Sequence, residues 1–270
     1  MDIHNKIQDL KRIIGEHAPL LIAFSGGVDS TLLAVLARET IGAENMHCVL
    51  VDGPEVPRRA LNDAKNLSAV FEFPLTIRGV TPFSSELKRT NPHDRCRYCK
   101  LGTYEILRDV TEKTGCKYIA DGANASDLGE HRPGIDTFSS CGVIHPFIMA
   151  GITKQDIREI ARIKGLSFWD KPSSACLYSR IPYGEEITNQ KLEMIEKGED
   201  MLHDIGIRQS RVRHHGSIAR IEVLPEDMDK IISQKDNIHQ FFKELGFLYI
   251  TLDLKGYRPG SMDEVLDLLS

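Results

Sequence analysis

The sequence lacks the marks of a membrane protein, a secreted protein and a broad nucleic-acid-binding surface. No apolar run approaches the roughly 20 residues of a transmembrane helix, and the polar start Met-Asp-Ile-His-Asn is no signal peptide. The 34 Lys and Arg residues are outnumbered by 39 Asp and Glu residues, so the formal net charge is −5. Six cysteines in 270 residues do not suggest a disulfide framework. We therefore expect a cytoplasmic enzyme with neither a membrane nor a nucleic acid as its partner.

A lysine is absent from the place where a kinase-type phosphate loop needs one. Walker loops follow the pattern G-x-x-x-x-G-K-[ST], and their lysine reaches the terminal phosphates. No lysine lies between Pro19 and Asn62, although this stretch holds the glycine-rich segment SGGVDS at residues 25–30. If this segment binds phosphate, it does so as a different kind of loop.

The SGGVDS segment predicts an anion site where a strand meets a helix, since it lies between the apolar run 20–24 and a helical pattern at 30–39. Gly26 and Gly27 allow a tight turn that brings bare N–H groups to an anion. The hydroxyls of Ser25 and Ser30 add donors, and the start of the helix contributes its positive dipole end. Asp29 is an acid within an anion site, which a bridging Mg²⁺ would explain.

Alternating strand and helix patterns over the first two-thirds of the chain predict an α/β fold. The expected strands are residues 20–24, 48–51, 73–77 and 117–120. Such near-continuous apolar strands indicate a parallel sheet that is covered by helices on both faces. Thr153 and Asp156 predict the capped start of a later helix. Because ligands of parallel sheets bind at the carboxyl ends of the strands, residues 25–30 lie where a ligand is expected.

From about Lys171 the pattern changes to that of a smaller α+β domain. Its expected elements are a helix at 189–205, a hairpin at 211–215 and 218–224, and a strand at 248–252. We therefore expect two domains, residues 1–172 and residues 173–270.

Three cysteines form a pattern with the chemistry of a metal or redox site. Cys96 and Cys99 make a C-x-x-C at a helix start, and Cys176 lies at the start of the second domain. Three thiols cannot complete a structural zinc site, which takes four ligands, but they suit a 4Fe-4S cluster with one open iron. A lone C-x-x-C is a weak signal, so a redox pair or unrelated thiols remain alternatives.

Taken together, these motifs resemble those of the LarE family over essentially the whole chain. LarE proteins are ATP-dependent sulfurtransferases of the PP-loop ATP pyrophosphatase superfamily. They thiolate pyridinium-3,5-biscarboxylic acid mononucleotide in nickel-pincer nucleotide biosynthesis. The SGGVDS loop is common to many PP-loop families, whereas the Cys176 segment and the ending GYRPGSM are more specific. The segments that carry the resemblance are 25–30, 94–100, 121–127, 132–134, 171–184, 211–213, 219–222 and 256–262.

The resemblance implies a PP-loop ATP pyrophosphatase fold, a requirement for ATP and Mg²⁺, a small-molecule nucleotide substrate, and a homohexamer arranged as a trimer of dimers. ATP would adenylate a substrate carboxylate, which then becomes a thiocarboxylate. Within the family, the cysteine matching Cys176 either gives up its own sulfur or joins a C-x-x-C in holding a 4Fe-4S cluster. The presence of Cys96 and Cys99 favours the cluster type here.

The resemblance also assigns candidate site residues. The catalytic candidates are Cys176, Asp29 and Lys100. The nucleotide-binding candidates are Ser25, Gly26, Gly27, Asp29, Ser30, Gly122, Asn124 and Asp127. The substrate-binding candidates are Lys100, Ser179, Arg180, Arg211, Arg213 and Arg258. The metal-binding candidates are Cys96, Cys99, Cys176, Glu199, Glu222 and Asp229.

Several of these residues have plainer explanations. Arg211 and Arg213 alternate along a predicted strand and share one face, which suits a phosphate or carboxylate, but surface charge would also explain them. Glu199, Glu222 and Asp229 are equally compatible with solvated acids. A helix N-cap would account for Asp127.

Three other functions are compatible with parts of the sequence. A tRNA thiolase can also use three cysteines, but an acidic chain without an added RNA-binding domain argues against it. Amide-forming relatives such as NAD and GMP synthetases share the loop and leave the three cysteines unexplained. A non-catalytic ATP sensor would bind the nucleotide without releasing pyrophosphate.

Overall fold

The computed structural model describes residues 2–80, 86–129, 133–172 and 176–264. Within these residues the chain forms two compact units. The first unit contains residues 2–53, 58–80, 94–129 and 133–172. The second unit contains residues 54–57, 86–93 and 176–264, so two short segments from the N-terminal half belong to it.

A parallel sheet forms the centre of the first unit. Its strands are β1 Leu20–Ala23, β2 Met46–Asp52, β3 Leu75–Gly79 and β4 Tyr118–Ala120. Their spatial order is β3-β2-β1-β4, and every neighbouring pair is parallel, which confirms the predicted α/β fold. Leu20, Leu21 and Ile22 of the inner strand β1 are fully buried, as expected for a strand covered on both faces.

Helices connect and cover these strands. The helices before residue 170 are, in chain order, α1 Ile3–Glu16, α2 Val28–Ile41, α3 Arg58–Val70, α4 Glu86–Arg89, α5 Arg95–Thr114, α6 Pro133–Ser140, α7 Pro146–Met149 and α8 Lys154–Ile163. All except α4 belong to the first unit. The helix α2 begins at Val28 rather than at residue 30, so Asp29 lies in its first turn. The helix α1 is not among the expected elements and buries Leu10, Ile13 and Ile14.

A capping box fixes the start of α8, as predicted. The Asp156 N–H donates to the Thr153 hydroxyl at 3.2 Å, and the Thr153 N–H donates to Asp156 Oδ2 at 2.8 Å. Lys6 of α1 adds an ion pair to the same Asp156 oxygen at 2.5 Å. The first residue of this helix, Lys154, is therefore held in a well-defined position.

The second unit packs helices against a mixed sheet. Its remaining elements are α9 Asn189–Asp204, β5 Ser210–His215, β6 Ile218–Val223, α10 Met228–Ser233, α11 Lys235–Glu244 and β7 Tyr249–Leu252. The strands β5 and β6 form the predicted antiparallel hairpin, and β7 runs parallel to β6. The core contains Leu202, Val212, Ile221, Phe242 and Phe247, each at most 1% exposed.

Membrane insertion has no support in the helices. None of the helices in the part of the chain that the structure describes combines the length and apolar character needed to span a bilayer.

Candidate functional site

The segment 25–30 forms a turn in which the second position requires glycine. Gly26 has a φ of +69°, in the left-handed region. A Cβ added to Gly26 would lie 2.7 Å from the Cβ of Ala64 on α3, so packing also excludes a side chain. Gly27 is the N-cap residue of α2, and its carbonyl accepts the N–H of Thr31 at 3.0 Å. The loop is therefore pressed against α3 and runs directly into α2.

Two serine hydroxyls brace this loop from inside. Ser25 Oγ and Ser30 Oγ lie 3.1 Å apart, and the Ser25 N–H donates to Ser30 Oγ at 3.2 Å. Ser30 Oγ also donates to the carbonyl of Gly27 at 3.3 Å. These bonds hold the backbone at the N-terminus of α2, where the helix dipole favours an anion. The geometry suits the phosphate-binding role predicted for these residues.

Asp29 contacts a lysine that the sequence patterns do not single out. Lys154, the first residue of α8, directs its Nζ to Asp29 Oδ1 in a short contact. Burial raises the pKa of Asp29, the Lys154 ammonium opposes this rise, and the nearby Asp127 carboxylate adds to it. Asp29 and Asp127 are thus two neighbouring carboxylates, the type of donor that Mg²⁺ prefers, and this donor set fits the ion.

The segment after β4 packs against the start of α2. A Cβ added to Gly122 would lie 2.9 Å from the backbone nitrogen of Ser30, so only glycine permits this approach. Asn124 is buried, and both its Nδ2 and its backbone N–H donate to Asp127 Oδ2 at 2.9 Å. Asp127 lies inside the short 3-10 helix Ala125–Gly129 rather than at its N-cap. The adjacency of β1 and β4 thus brings this segment to the phosphate loop.

A second lysine reaches the loop from the end of the first unit. Lys171 Nζ donates to the Gly26 carbonyl at 3.1 Å and pairs with Asp63 Oδ2 at 2.9 Å. The loop therefore receives two lysine side chains, although it has no lysine of its own. They come from positions 125 and 145 residues further along the chain, and nothing in the local sequence signals either contact.

The C-x-x-C pair lies in the first turns of α5. Cys96 is exposed, Cys99 is half-exposed, and neither forms a disulfide. Because three positions separate them on a helix, the two thiols lie on one face. The next residue, Lys100, places its Nζ 3.9 Å from the ring centroid of Phe138. Burial lowers the pKa of Lys100, while the carboxylate of Asp121 and the two cysteines oppose this shift.

A chain of hydrogen bonds fixes Asp121 beside Lys100. Asp121 Oδ1 lies 2.6 Å from His145 Nδ1, and His145 Nε2 lies 2.9 Å from Ser139 Oγ. The arrangement resembles a nucleophilic triad, but Ser139 lies at the end of α6, where the helix dipole disfavours an oxyanion. The chain therefore positions Asp121, and no sequence pattern indicated His145 or Ser139.

In the second unit, Cys176 is exposed and precedes the short 3-10 helix Leu177–Arg180. Arg180 is buried and binds Glu199 in a bidentate way, with Nε–Oε1 at 2.8 Å and Nη2–Oε2 at 3.0 Å. Its Nη1 donates to the Cys176 carbonyl at 3.1 Å and to Ser179 Oγ at 2.9 Å. Burial alone would raise the pKa of Glu199, but the Arg180 guanidinium holds it below its ordinary value. Arg180 thus anchors the backbone of Cys176.

Arg213 and Glu222 form a second buried pair across the hairpin. Arg213 Nη2 donates to Glu222 Oε2 at 2.7 Å and to Ser261 Oγ at 2.9 Å. Ser261 Oγ in turn donates to Glu222 Oε1 at 2.7 Å, and Arg213 Nη1 reaches the carbonyl of Ser179 at 3.0 Å. Glu222 is fully buried, so its charge is compensated entirely by protein groups.

Arg211 is a buried guanidinium with an altered acidity. Its Nη1 donates to the Ser210 carbonyl at 2.7 Å, and its guanidinium carbon lies 5.1 Å from the centroid of the Tyr257 ring. Burial and the neighbouring guanidinium of Arg180 lower the pKa of Arg211 to about 10. A bound phosphate or carboxylate would stabilise this charge.

Two predicted site residues of the second unit lie in more open surroundings. Arg258 pairs with Glu264 at 2.5 Å and with Asp253 at 3.4 Å, and its side chain is one-quarter exposed. Asp229 is exposed in the first turn of α10.

The structure does not assemble the predicted metal ligands into a single group. Among the described residues, no set of three or more His, Cys, Asp or Glu side chains is placed to hold a metal ion. Glu199 and Glu222 are instead paired with arginines. The metal role of these two acids and of Asp229 stays a prediction, as does the cluster role of the cysteines. The motif residues 132 and 173–175 lie outside the described part of the chain.

Comparisons with known proteins agree with the geometry of the loop and with the length of the chain. The NAD synthase family matches residues 7–98, which include the loop. The chain is 30% identical to pyridinium-3,5-bisthiocarboxylic acid mononucleotide synthase of Lactiplantibacillus plantarum, over 96% of this chain and 92% of the relative. It is 35% identical to an uncharacterised protein of Synechocystis, over 98% and 99% of the two chains. A more distant relative, from the glutamine-hydrolysing GMP synthase of Methanopyrus kandleri, is 26% identical over 75% of this chain and 68% of its own length.

Proposed function

The chain belongs to the LarE family, and on that premise we propose that it is an ATP-dependent sulfurtransferase that acts on pyridinium-3,5-biscarboxylic acid mononucleotide. The product would carry a thiocarboxylate in place of a carboxylate, as required for the nickel-pincer nucleotide. The observation that carries the proposal is the phosphate loop of residues 25–30, with Asp29 and Asp127 beside it.

ATP provides the energy for this conversion because a carboxylate has no usable leaving group. A carboxylate oxygen of the substrate attacks the α-phosphorus, the bond to the bridging oxygen breaks, and pyrophosphate leaves. Ser25, Ser30 and the start of α2 bind the phosphates, and Asp29 with Asp127 would hold Mg²⁺. Mg²⁺ would neutralise charge on the phosphates as it develops. The resulting acyl-adenylate is open to attack by sulfur, with AMP as the leaving group.

The nucleotide substrate carries a phosphate and two carboxylates, so its binding requires cationic donors. Arg211 is the strongest candidate, because it is a buried guanidinium whose pKa is lowered to about 10. Arg213 and Arg180 are each held by a glutamate, which fixes the direction in which their remaining donors point. Lys100, Ser179 and Arg258 complete the substrate-binding set that the family resemblance assigns.

We propose that the sulfur comes from a 4Fe-4S cluster held by Cys96, Cys99 and Cys176. The donor set fits iron, since all three cysteines are outside disulfides and two of them lie on one face of α5. A cluster with an open iron would supply a transferable sulfide. The chain itself would supply the thiolates, and Lys100 would favour them electrostatically. In the alternative, Cys176 gives up its own sulfur and becomes dehydroalanine.

Anaerobic purification followed by iron analysis, visible absorption and turnover tests this choice. We expect bound iron, multiple turnovers and an unchanged intact mass after the reaction. The Cys96→Ala variant should lose both iron and turnover, whereas Cys141→Ala, a half-exposed cysteine outside the C-x-x-C, should keep both. An iron-free protein that loses one sulfur from Cys176 per product would overturn the cluster and support the sacrificial mechanism.

We also propose a hexameric assembly, on the basis of family membership alone. Light scattering coupled to size-exclusion chromatography would give six times the 30.3 kDa chain mass if this is correct.

A further inference from the structure

The contact between Lys154 and Asp29 joins two groups with opposite preferences for a metal ion. Asp29 is the carboxylate nearest the phosphate loop, and its Oδ1 oxygen is the atom that Lys154 Nζ contacts. A cation at this oxygen repels a second cation that approaches the same carboxylate. The ion pair and a bound Mg²⁺ therefore compete for Asp29.

The position of Lys154 on its helix is unfavourable without a functional reason. Lys154 is the first residue of α8, and the N-terminal end of a helix disfavours positive charge. The same first turn carries Asp156, which suits that end of the helix and closes the capping box. The charge of Lys154 is therefore stabilised by Asp29 rather than by its own helix.

The backbone of Lys154 is anchored to the segment that carries Asn124 and Asp127. The Lys154 N–H donates to Ser126 Oγ at 3.1 Å, and the Ala125 N–H donates to the Ile152 carbonyl at 2.8 Å. Its side chain is 37% exposed, so the ammonium can turn toward solvent or toward a bound ligand while the backbone stays in place. Lys154 is thus an ammonium on a flexible stem with a fixed base.

We infer that Lys154 is an exchangeable counter-ion for Asp29: it holds this carboxylate when the loop is empty and transfers to a phosphate oxygen of ATP when the carboxylate takes up Mg²⁺. The inference rests on the proposed function, because it requires Mg²⁺ and ATP as ligands of this loop. It assigns to Lys154 the positive charge that the lysine-free loop lacks. Lys171 differs, since it is bound to the Gly26 carbonyl and to Asp63 and thereby supports the loop itself.

The inference predicts opposite effects of one substitution on two ligands. In Lys154→Met, the competing cation is gone, so Mn²⁺ alone, used as the probe and followed by electron paramagnetic resonance, should bind about fivefold more tightly. The same variant should bind α,β-methylene-ATP with Mg²⁺ at least about tenfold more weakly by calorimetry, because a phosphate contact is lost. Lys154→Arg should keep both affinities near those of the wild type.

Two further variants separate exchange from a purely structural ion pair. Lys164→Met removes a lysine that follows the same helix and pairs with Glu39 at 2.8 Å, and both affinities should stay unchanged. In an Asp29→Asn background, Lys154→Met should no longer tighten Mn²⁺ binding. Unchanged or weaker Mn²⁺ binding by folded Lys154→Met would overturn the inference. A wild type that binds Mn²⁺ but not the ATP analogue would contradict the proposed function, and the Mn²⁺ measurements would still decide the role of Lys154.

Discussion

The two units of this protein hold their charged pairs in contrasting ways. At the phosphate loop, the side chains of Lys154 and Asp29 are 37% and 26% exposed. In the hairpin of the second unit, those of Arg213 and Glu222 are 6% and 0% exposed. The first pair consists of a flexible ammonium and a single carboxylate oxygen, whereas the second belongs to a network that includes the Ser261 hydroxyl.

The contrast shows what each pair can do. A half-exposed ion pair contributes little to stability, so a ligand can displace one partner at small cost. A buried pair cannot open without leaving a charge in an apolar environment, so it fixes the direction of its arginine permanently. The loop is therefore built to exchange partners, and the hairpin is built to present fixed donors.

The largest effect should come from breaking the buried pair. Glu222→Gln leaves the Arg213 charge without its carboxylate and should lower the free energy of unfolding by about 3–5 kcal/mol. Urea denaturation measures this loss. Glu226→Gln, in the exposed turn before α10, is the control and should change stability by less than about 0.5 kcal/mol. A loss at Glu222 as small as that of the control would show that the pair is not fixed.

A somewhat smaller effect is expected from Gly26→Ala, at about 2–4 kcal/mol, because the backbone is left-handed and the new Cβ meets Ala64. Gly151→Ala is a matched control, since Gly151 has a φ of +62° and no atom within 4 Å of an added Cβ. Its loss should be confined to the backbone cost of about 1–2 kcal/mol. Adding Ala64→Gly should recover the steric part of the Gly26→Ala loss, and no recovery would contradict the packing argument.

The next effect concerns pH, through Glu199. The pKa of this residue is lowered in the folded state, so its contribution to stability is present above its unfolded value of 4.5 and is lost as pH falls through the folded pKa. Glu199→Gln should be less stable than the wild type by roughly 1.5–3 kcal/mol at pH 7. The gap should close as pH falls below 4.5, because the wild-type carboxyl also becomes neutral. A gap that stays constant between about pH 7 and pH 3 would refute the assignment.

The smallest effect on stability should come from Lys154→Met. Its pair with Asp29 is partly exposed, so urea denaturation should show a change of no more than about 1 kcal/mol. A loss as large as that of Glu222→Gln would remove the difference between the two regions. The comparison then predicts that this variant alters ligand binding far more than folding.

Features that depend on neighbouring residues could be predicted from the sequence. The strand, the glycine turn and the helix around residues 25–30 are local, and so are the capping box of Thr153 and the hairpin after Ser210. Each follows from backbone conformation, from hydrogen bonds over a few residues or from the alternation of apolar side chains. The parallel sheet follows from the succession of such elements.

Contacts across long stretches of chain could not be predicted in this way. Lys154 reaches Asp29 from 125 residues away, and its own surroundings in the sequence describe only a helix start. His145 is equally silent until β4 places Asp121 beside it. The glutamates at 199 and 222 have the spacing of solvated acids, and only burial against Arg180 and Arg213 reveals their role.

The sequence by itself determined that this protein has a phosphate loop, three cysteines suited to sulfur chemistry and arginines suited to an anionic nucleotide. These are properties of residue types at short spacings, and they define which chemistry is available. Only the tertiary structure decided which charges are paired and how firmly, because burial and the distance between partners arise when distant segments pack together. Opposite charges form an exchangeable contact at the surface of the loop and a permanent one inside the hairpin.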